Sequence, residues 1–246
     1  MRDALYLAYK EVRSKLVVLA FSIVPCGLIG YLLGQHFNYV VAMGERPQAA
    51  FFALVHPMDF MLIAILPVFG TMSFSKDYWQ WSTITEEPFL KRLRFYRMWA
   101  IPLRVIVWSR IMHVMLCLCT AMAAFALVFV WSSWQAMSAT ASPLGYVAFL
   151  TVLTGYAASM SGINPYVEFG MNGRAVFISS FVIALSGFSL ACLCRFLLDE
   201  PLFMTVYKLA EARPFWTIAV SIVWGALGVM LFQRALLHRL RRKDLP

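Results

Sequence analysis

Residues Leu16–Gly34 read LVVLAFSIVPCGLIGYLLG, nineteen positions without a charged side chain. About 20 apolar residues of helix cross the roughly 30 Å hydrocarbon core of a bilayer. This stretch therefore predicts a transmembrane helix. Five more runs of the same kind follow, at about 51–74, 105–131, 144–162, 175–198 and 215–232. They are continuously apolar and lack the two-residue alternation of a barrel strand, so helices are expected. The composition agrees. Of the 246 residues, 61% are hydrophobic and 13% charged, against about a quarter charged in an ordinary soluble domain. The expected fold is an all-α integral membrane domain of six spans over residues 1–246.

The charges orient it. All of the 21 basic residues except Arg46, Arg195, Lys208 and Arg213 lie in the N-terminal segment, the second-to-third and fourth-to-fifth connections, the foot of the third span and the C-terminal tail. Lysine and arginine concentrate on the cytoplasmic side. Both termini are therefore expected there, which six spans require. The net charge of +9 sits beside apolar spans, where topology and anionic lipid account for it; no nucleic-acid partner is expected. No cleavable leader is evident before Leu16.

Residues 2–15 form a separate element. Leu5, Leu7, Ala8, Val12 and Leu16 share one helical face, with Arg2, Asp3, Lys10, Arg13 and Lys15 elsewhere. This is either an amphipathic helix in the membrane interface or only a basic flank that orients the first span. On the outer side, residues 199–214 predict a short amphipathic helix between Pro201 and Pro214, and 132–143 a short uncharged loop.

The longest inner connection, about 75–104, is too short for a catalytic domain and too patterned for a simple turn. Pro88 suits the first turn of a helix, and Pro102 blocks its continuation. Between them Phe89, Leu93, Phe95, Tyr96 and Trp99 interleave with Arg92, Arg94 and Arg97. Such a helix either lies among lipid head groups or docks into a soluble partner.

At this point the chain resembles the ABC-2 type permeases, the membrane subunits of bacterial exporters. Phe74-Ser75-Lys76-Asp77-Tyr78-Trp79 is similar to the charged segment that follows the second span in that family. Leu93-Arg94-Phe95-Tyr96-Arg97, then Ile101-Pro102-Leu103-Arg104 and Ser109-Arg110, resemble its approach to the third span. Trp81-Ser82-Thr83 stands where the family usually carries a Gly-Thr pair. The resemblance implies a permease half in a bacterial cytoplasmic membrane, paired with a second permease subunit. It also implies a separate ATPase subunit that holds ATP and Mg and contacts the second-to-third connection. The contact residues it implies are Phe89, Arg92, Leu93, Arg94, Phe95, Tyr96, Arg97 and Trp99, assisted by Glu168 in the next inner connection. The chain itself lacks the Gly-Lys pair of a phosphate-cradling loop, so neither catalysis nor a bound cofactor is expected of it.

Intramembrane ionisable groups are candidates for function. Asp59 stands about eight residues into the second span, roughly 12 Å along a helix. It is expected either to meet a cationic substrate, to pair with Arg195, or to be a carboxylate reached by water near the loop. Arg110 is expected to snorkel to the interface. Gly30-x-x-x-Gly34 allows close helix approach and marks a possible dimer seam, while Gly155, Ala158, Ser159 and Gly162 are expected to pack within the bundle. The four histidines and five cysteines are scattered, and no metal site is expected. A lipid-modifying membrane enzyme and an ATP-independent channel or secondary transporter remain the alternatives. The latter is expected to show broken spans or internal repeats.

Overall fold

A computed structural model describes residues 2–14, 16–43, 57–74, 85, 87–99, 101–140, 142–198 and 201–242. Among these residues the chain is helical throughout, with no strand. The elements are α1 (Arg2–Ser14), α2 (Leu16–Met43), α3 (Pro57–Phe60), a π-helical turn (Met61–Ile65), a 3-10 helix (Leu66–Phe74), α4 (Pro88–Met98), α5 (Leu103–Ser132), α6 (Trp134–Thr140), α7 (Pro143–Ser161), α8 (Ile163–Gly170), α9 (Gly173–Leu197), α10 (Leu202–Ala212) and α11 (Pro214–Arg242). Five stretches are long and apolar enough to cross a membrane: Leu16–Val40, Leu103–Ser132, Pro143–Gly170, Gly173–Cys194 and Pro214–Arg242.

The second expected span differs. Its first residues, 51–56, lie outside the described residues. The remainder is the short broken run from Pro57 to Phe74, not one continuous α-helix. Pro67 supplies the cause. It has no N–H to offer the carbonyl four residues back, which belongs to Ile63. That carbonyl instead accepts a hydrogen bond from the Tyr156 hydroxyl, at 2.9 Å. The Pro67 carbonyl accepts one from the Asn164 side-chain amide, at 3.4 Å. Protein partners thus satisfy the interrupted backbone, as an apolar setting demands. Asp59, near the start of the run, lies against Leu202, and Gly70, further on, beside Val114 and Ser161, so the run passes along the bundle antiparallel to α5.

Two clusters fill the interior. One is aromatic, with Phe37, Phe129, Phe149, Phe203 and Tyr207 in contact at one end. The other gathers Phe89, Leu90 and Leu93 of α4, Ile106 and Val107 of α5, Val167 and Phe169 of α8, Val176 of α9, and Leu236 and Leu240 of α11. The arginine-rich pieces of the chain therefore meet at one end of the bundle, hereafter the basic end. Leu236 and Leu240, four residues apart, also explain why α11 runs past the expected boundary at 232 to Arg242: its last turns bury a stripe there.

Close helix contacts are made by small residues. A Cβ on Gly30 would lie 2.6 Å from the Phe125 carbonyl oxygen, and one on Gly34 would overlap the Ser132 hydroxyl. Gly30 and Gly34 therefore seat α2 against α5 of the same chain, which corrects the expectation of a dimer seam. Gly155 and Gly225 bring α7 and α11 together in the same way. The 132–143 connection, expected as a loop, contains α6, held by the Asn38 side chain, whose carbonyl accepts the Ala136 N–H at 3.0 Å.

Candidate functional site

The basic end holds a cluster of ionisable side chains built from four elements. α1 presents Ala4, Ala8 and Glu11 on one face, and these are its buried residues. Two alanines let the helix lie close to α5, which admits the longer Glu11 side chain between them. Ala8 of the expected apolar stripe belongs to this face, whereas Leu5 and Leu16 are 53% and 54% exposed.

Glu11 is the centre of the cluster. Its Oε1 accepts a hydrogen bond from the Tyr96 hydroxyl of α4 and stands 3.6 Å from Arg92 Nε. Its Oε2 lies 3.6 Å from Arg110 Nη1 and 3.7 Å from His113 Nδ1, both on α5. Arg110 turns its other nitrogens to α8. Nε and Nη2 donate to the two oxygens of Glu168, the second at 2.6 Å. This planar two-point grip is the strongest geometry available to an arginine and a carboxylate. Arg110 is 1% exposed and Glu168 fully buried. Two carboxylates and two guanidinium groups balance in charge when His113 is neutral.

Electrostatics follow the packing. Burial pushes the Glu11 carboxyl up, but the Arg110 and Arg92 charges and the Tyr96 hydrogen bond together hold it below the ordinary carboxylate value. Burial first, then the bond to Glu11, pushes the Tyr96 phenol up to about 12. The network extends at its margins. Arg239 of α11 donates to the Gly170 carbonyl at 2.7 Å and to the Tyr166 hydroxyl at 3.1 Å. Glu87, whose φ of 46° is unusual for a residue with a side chain, opens α4 and accepts the Gly173 N–H of α9 at 3.5 Å. α4 is thereby bonded to the start of α9 as well as to α1.

Several expected site residues stand elsewhere than anticipated. Arg110 does not snorkel; it is enclosed between Glu11 and Glu168. Glu168 is not available as a contact for a partner, because it is fully buried on Arg110. Phe89 and Leu93 are 4% and 0% exposed and belong to the chain's own interior, so they are removed from the expected docking face. Arg92 and Tyr96 face Glu11. What α4 exposes is Lys91, Arg94, Phe95, Arg97 and Met98, with Trp99 just beyond its end. A cleft of about 490 Å³ separates α1 from α4, between Leu7 and Lys10 on one wall and Phe95 and Trp99 on the other.

Asp59 has a structural occupation. Its two oxygens accept the backbone N–H groups of Leu202 at 3.0 Å and Phe203 at 2.9 Å. It caps the first turn of α10, whose opening amides have no partner within the helix. Of the partners expected for Asp59, the side chain of Arg195 lies outside the described residues; the cap is the role the structure gives it. Glu211, at the other end of α10, accepts the Ser142 N–H at 2.9 Å where α7 begins. The Phe74–Trp79 and Trp81–Thr83 stretches mostly lie outside the described residues.

Glu11 is the residue that sequence reading missed. Its one signal was an acid in register with Ala4 and Ala8 on a helix otherwise rich in cations. Neither a known family, nor a curated protein, nor a solved structure matches this chain.

Proposed function

We propose that this chain is the transmembrane permease half of an ABC exporter of the ABC-2 type. In this reading it spans a bacterial cytoplasmic membrane six times with both termini inside. It pairs with a second permease subunit and moves an amphipathic or hydrophobic substrate. A separate subunit binds and hydrolyses Mg-ATP. In this reading the broken run from Pro57 to Phe74 belongs to the sixth crossing.

The observation that carries the reading is the two-sidedness of α4. Its inner face, Phe89, Leu90 and Leu93, is buried among the feet of the long helices. Its outer face leaves Lys91, Arg94, Phe95 and Met98 exposed. Arg92 and Tyr96, at the seam, bind Glu11, which in turn meets Arg110 on α5. A lever that receives force from another protein needs an accessible surface and a stiff attachment to the element it moves. α4 has the first, and the buried ion network supports the second. Coupling of this kind requires contacts that differ between two states; the expected change is a shift of α4 together with α1 against the bundle.

The broken second helix favours one other reading, a channel or secondary transporter working without ATP. Its interrupted carbonyls at Ile63 and Pro67 are engaged by Tyr156 and Asn164, which weighs against a role as ion ligands. Reconstitution into vesicles separates the two. The favoured reading requires an ATPase partner and Mg-ATP for substrate movement; the alternative gives the same flux with the purified chain alone.

A further inference from the structure

α11 and α7 touch along a seam of small residues. A Cβ on Gly228 would overlap the Ser159 hydroxyl and lie 2.7 Å from Ser159 Cα. The close approach leaves an apolar groove of about 630 Å³ beside the seam, walled by Ser159, Met160, Trp224, Leu227 and Leu231, with Arg234 at its lower end. Trp224, Leu227 and Leu231 are 56%, 57% and 63% exposed, so the groove opens sideways from the bundle.

The register of charge along α11 decides the occupant. From Phe215 to Gln233 the helix carries no charged residue; Arg234 is the first. Arg234 has no hydrogen-bond or ion-pair partner among the described residues, unlike Arg239 five residues further on, which is held by Gly170 and Tyr166. Ten residues separate Trp224 from Arg234, about 15 Å of helix, or half of the roughly 30 Å hydrocarbon core. A cation therefore stands at one end of a sideways-opening apolar slot, about one leaflet's depth along the helix from Trp224. An acyl chain fits the slot while its phosphate meets the guanidinium.

We propose that this groove is a binding site for an anionic phospholipid, with its head group on Arg234 and one acyl chain against Trp224 and Leu227. The site is independent of any ATPase partner. One lipid-facing cation near a membrane surface accounts for about a fivefold preference for the anionic lipid.

The test uses the full chain reconstituted into phosphatidylcholine nanodiscs containing a tenth of either acyl-brominated phosphatidylglycerol or acyl-brominated phosphatidylcholine. Bromine quenches nearby tryptophan, and the signal of Trp224 is obtained as the difference from a Trp224→Phe chain. The site predicts that brominated phosphatidylglycerol quenches Trp224 about five times more effectively than brominated phosphatidylcholine at the same fraction. Arg234→Gln, at an exposed position, brings the ratio to one, and Arg234→Lys restores it. Leu227→Trp, which fills the groove, lowers quenching of Trp224 by both lipids. Equal quenching by the two lipids in the unsubstituted chain overturns the proposal, as does a preference that survives Arg234→Gln. An absence of quenching by either lipid means that another polypeptide covers the groove, and overturns it as well.

Discussion

Replacing Arg110 with methionine removes the guanidinium that faces both Glu11 and Glu168. Unit charges about 4 Å apart attract by about 4 kcal/mol at an effective dielectric near 20. Stripping water from each ion costs several kcal/mol. Attraction and desolvation therefore nearly cancel for the intact pair, so its presence says little about net stability. Removing one member leaves the cost without the gain, and such losses run to about 3–5 kcal/mol. Arg110 and Glu168 are 1% exposed and fully buried respectively, so Arg110→Met is expected at the upper part of that range. Glu168→Met is expected to cost less, because Arg110 still stands 3.6 Å from Glu11. The double variant is expected to recover most of the loss, since apolar side chains of similar volume often replace a buried pair without penalty. Denaturant titration of the purified chain in mild detergent, followed by tryptophan fluorescence, measures all three against the unsubstituted protein. Losses under about 1 kcal/mol for Arg110→Met, or a double variant as unstable as the sum of the singles, refute the network as described.

Asp59→Ala should cost about 0.5–2 kcal/mol, the usual range for loss of a helix cap, and should raise amide hydrogen exchange in Leu202–Ala212 before it does so elsewhere. Tyr156→Phe leaves the Ile63 carbonyl without its partner and should cost about 1–3 kcal/mol, with faster exchange confined to the broken run from Pro57 to Phe74. Glu11 has a lowered pKa in the folded protein, so its contribution is complete above the ordinary carboxylate range and is lost as pH falls through the lowered folded value. The melting temperature of Glu11→Gln should accordingly lie below that of the unsubstituted chain at neutral pH, with the gap closing in acid; a gap independent of pH contradicts the assignment. Gly34→Leu should destabilise the isolated chain by about 1–3 kcal/mol through overpacking against α5. A dimer seam at Gly34 predicts instead a change in oligomeric state with unaltered chain stability.

Five long apolar helices, the element at 2–14, the α4 helix after Pro88 and the outer helix after Pro201 were all legible from hydropathy, charge and proline placement. These are local signals, each contained within one run of residues. The partners of Gly30, Asp59 and Arg110 were not legible, because each lies far along the chain: Phe125 for Gly30, Leu202 for Asp59, Glu168 for Arg110. A glycine pair in an apolar helix reports that something comes close, not what. A lone arginine near a span end reads as a snorkelling residue until an acid from another helix is brought to it. The break in the second span did have a local signal, since Pro67 sits within the apolar run. Its cost is met by Tyr156, which no local pattern reveals. Phe89 and Leu93 were misassigned to a docking face because an amphipathic helix has one apolar side, and composition does not say whether its own bundle or a partner covers it. Packing against Ile106, Val167 and Leu236 settles that for this chain.

Purification of the full chain from its native membrane in mild detergent, with Mg-ATP hydrolysis and subunit stoichiometry measured on the product, tests the permease reading most directly. A permease half should bring down an ATP-hydrolysing soluble subunit in equimolar amount, lost when Arg94 and Phe95, exposed on α4, are changed to glutamate and aspartate while the chain remains folded. A chain that purifies without any nucleotide-hydrolysing partner and moves its substrate with ATP absent contradicts it.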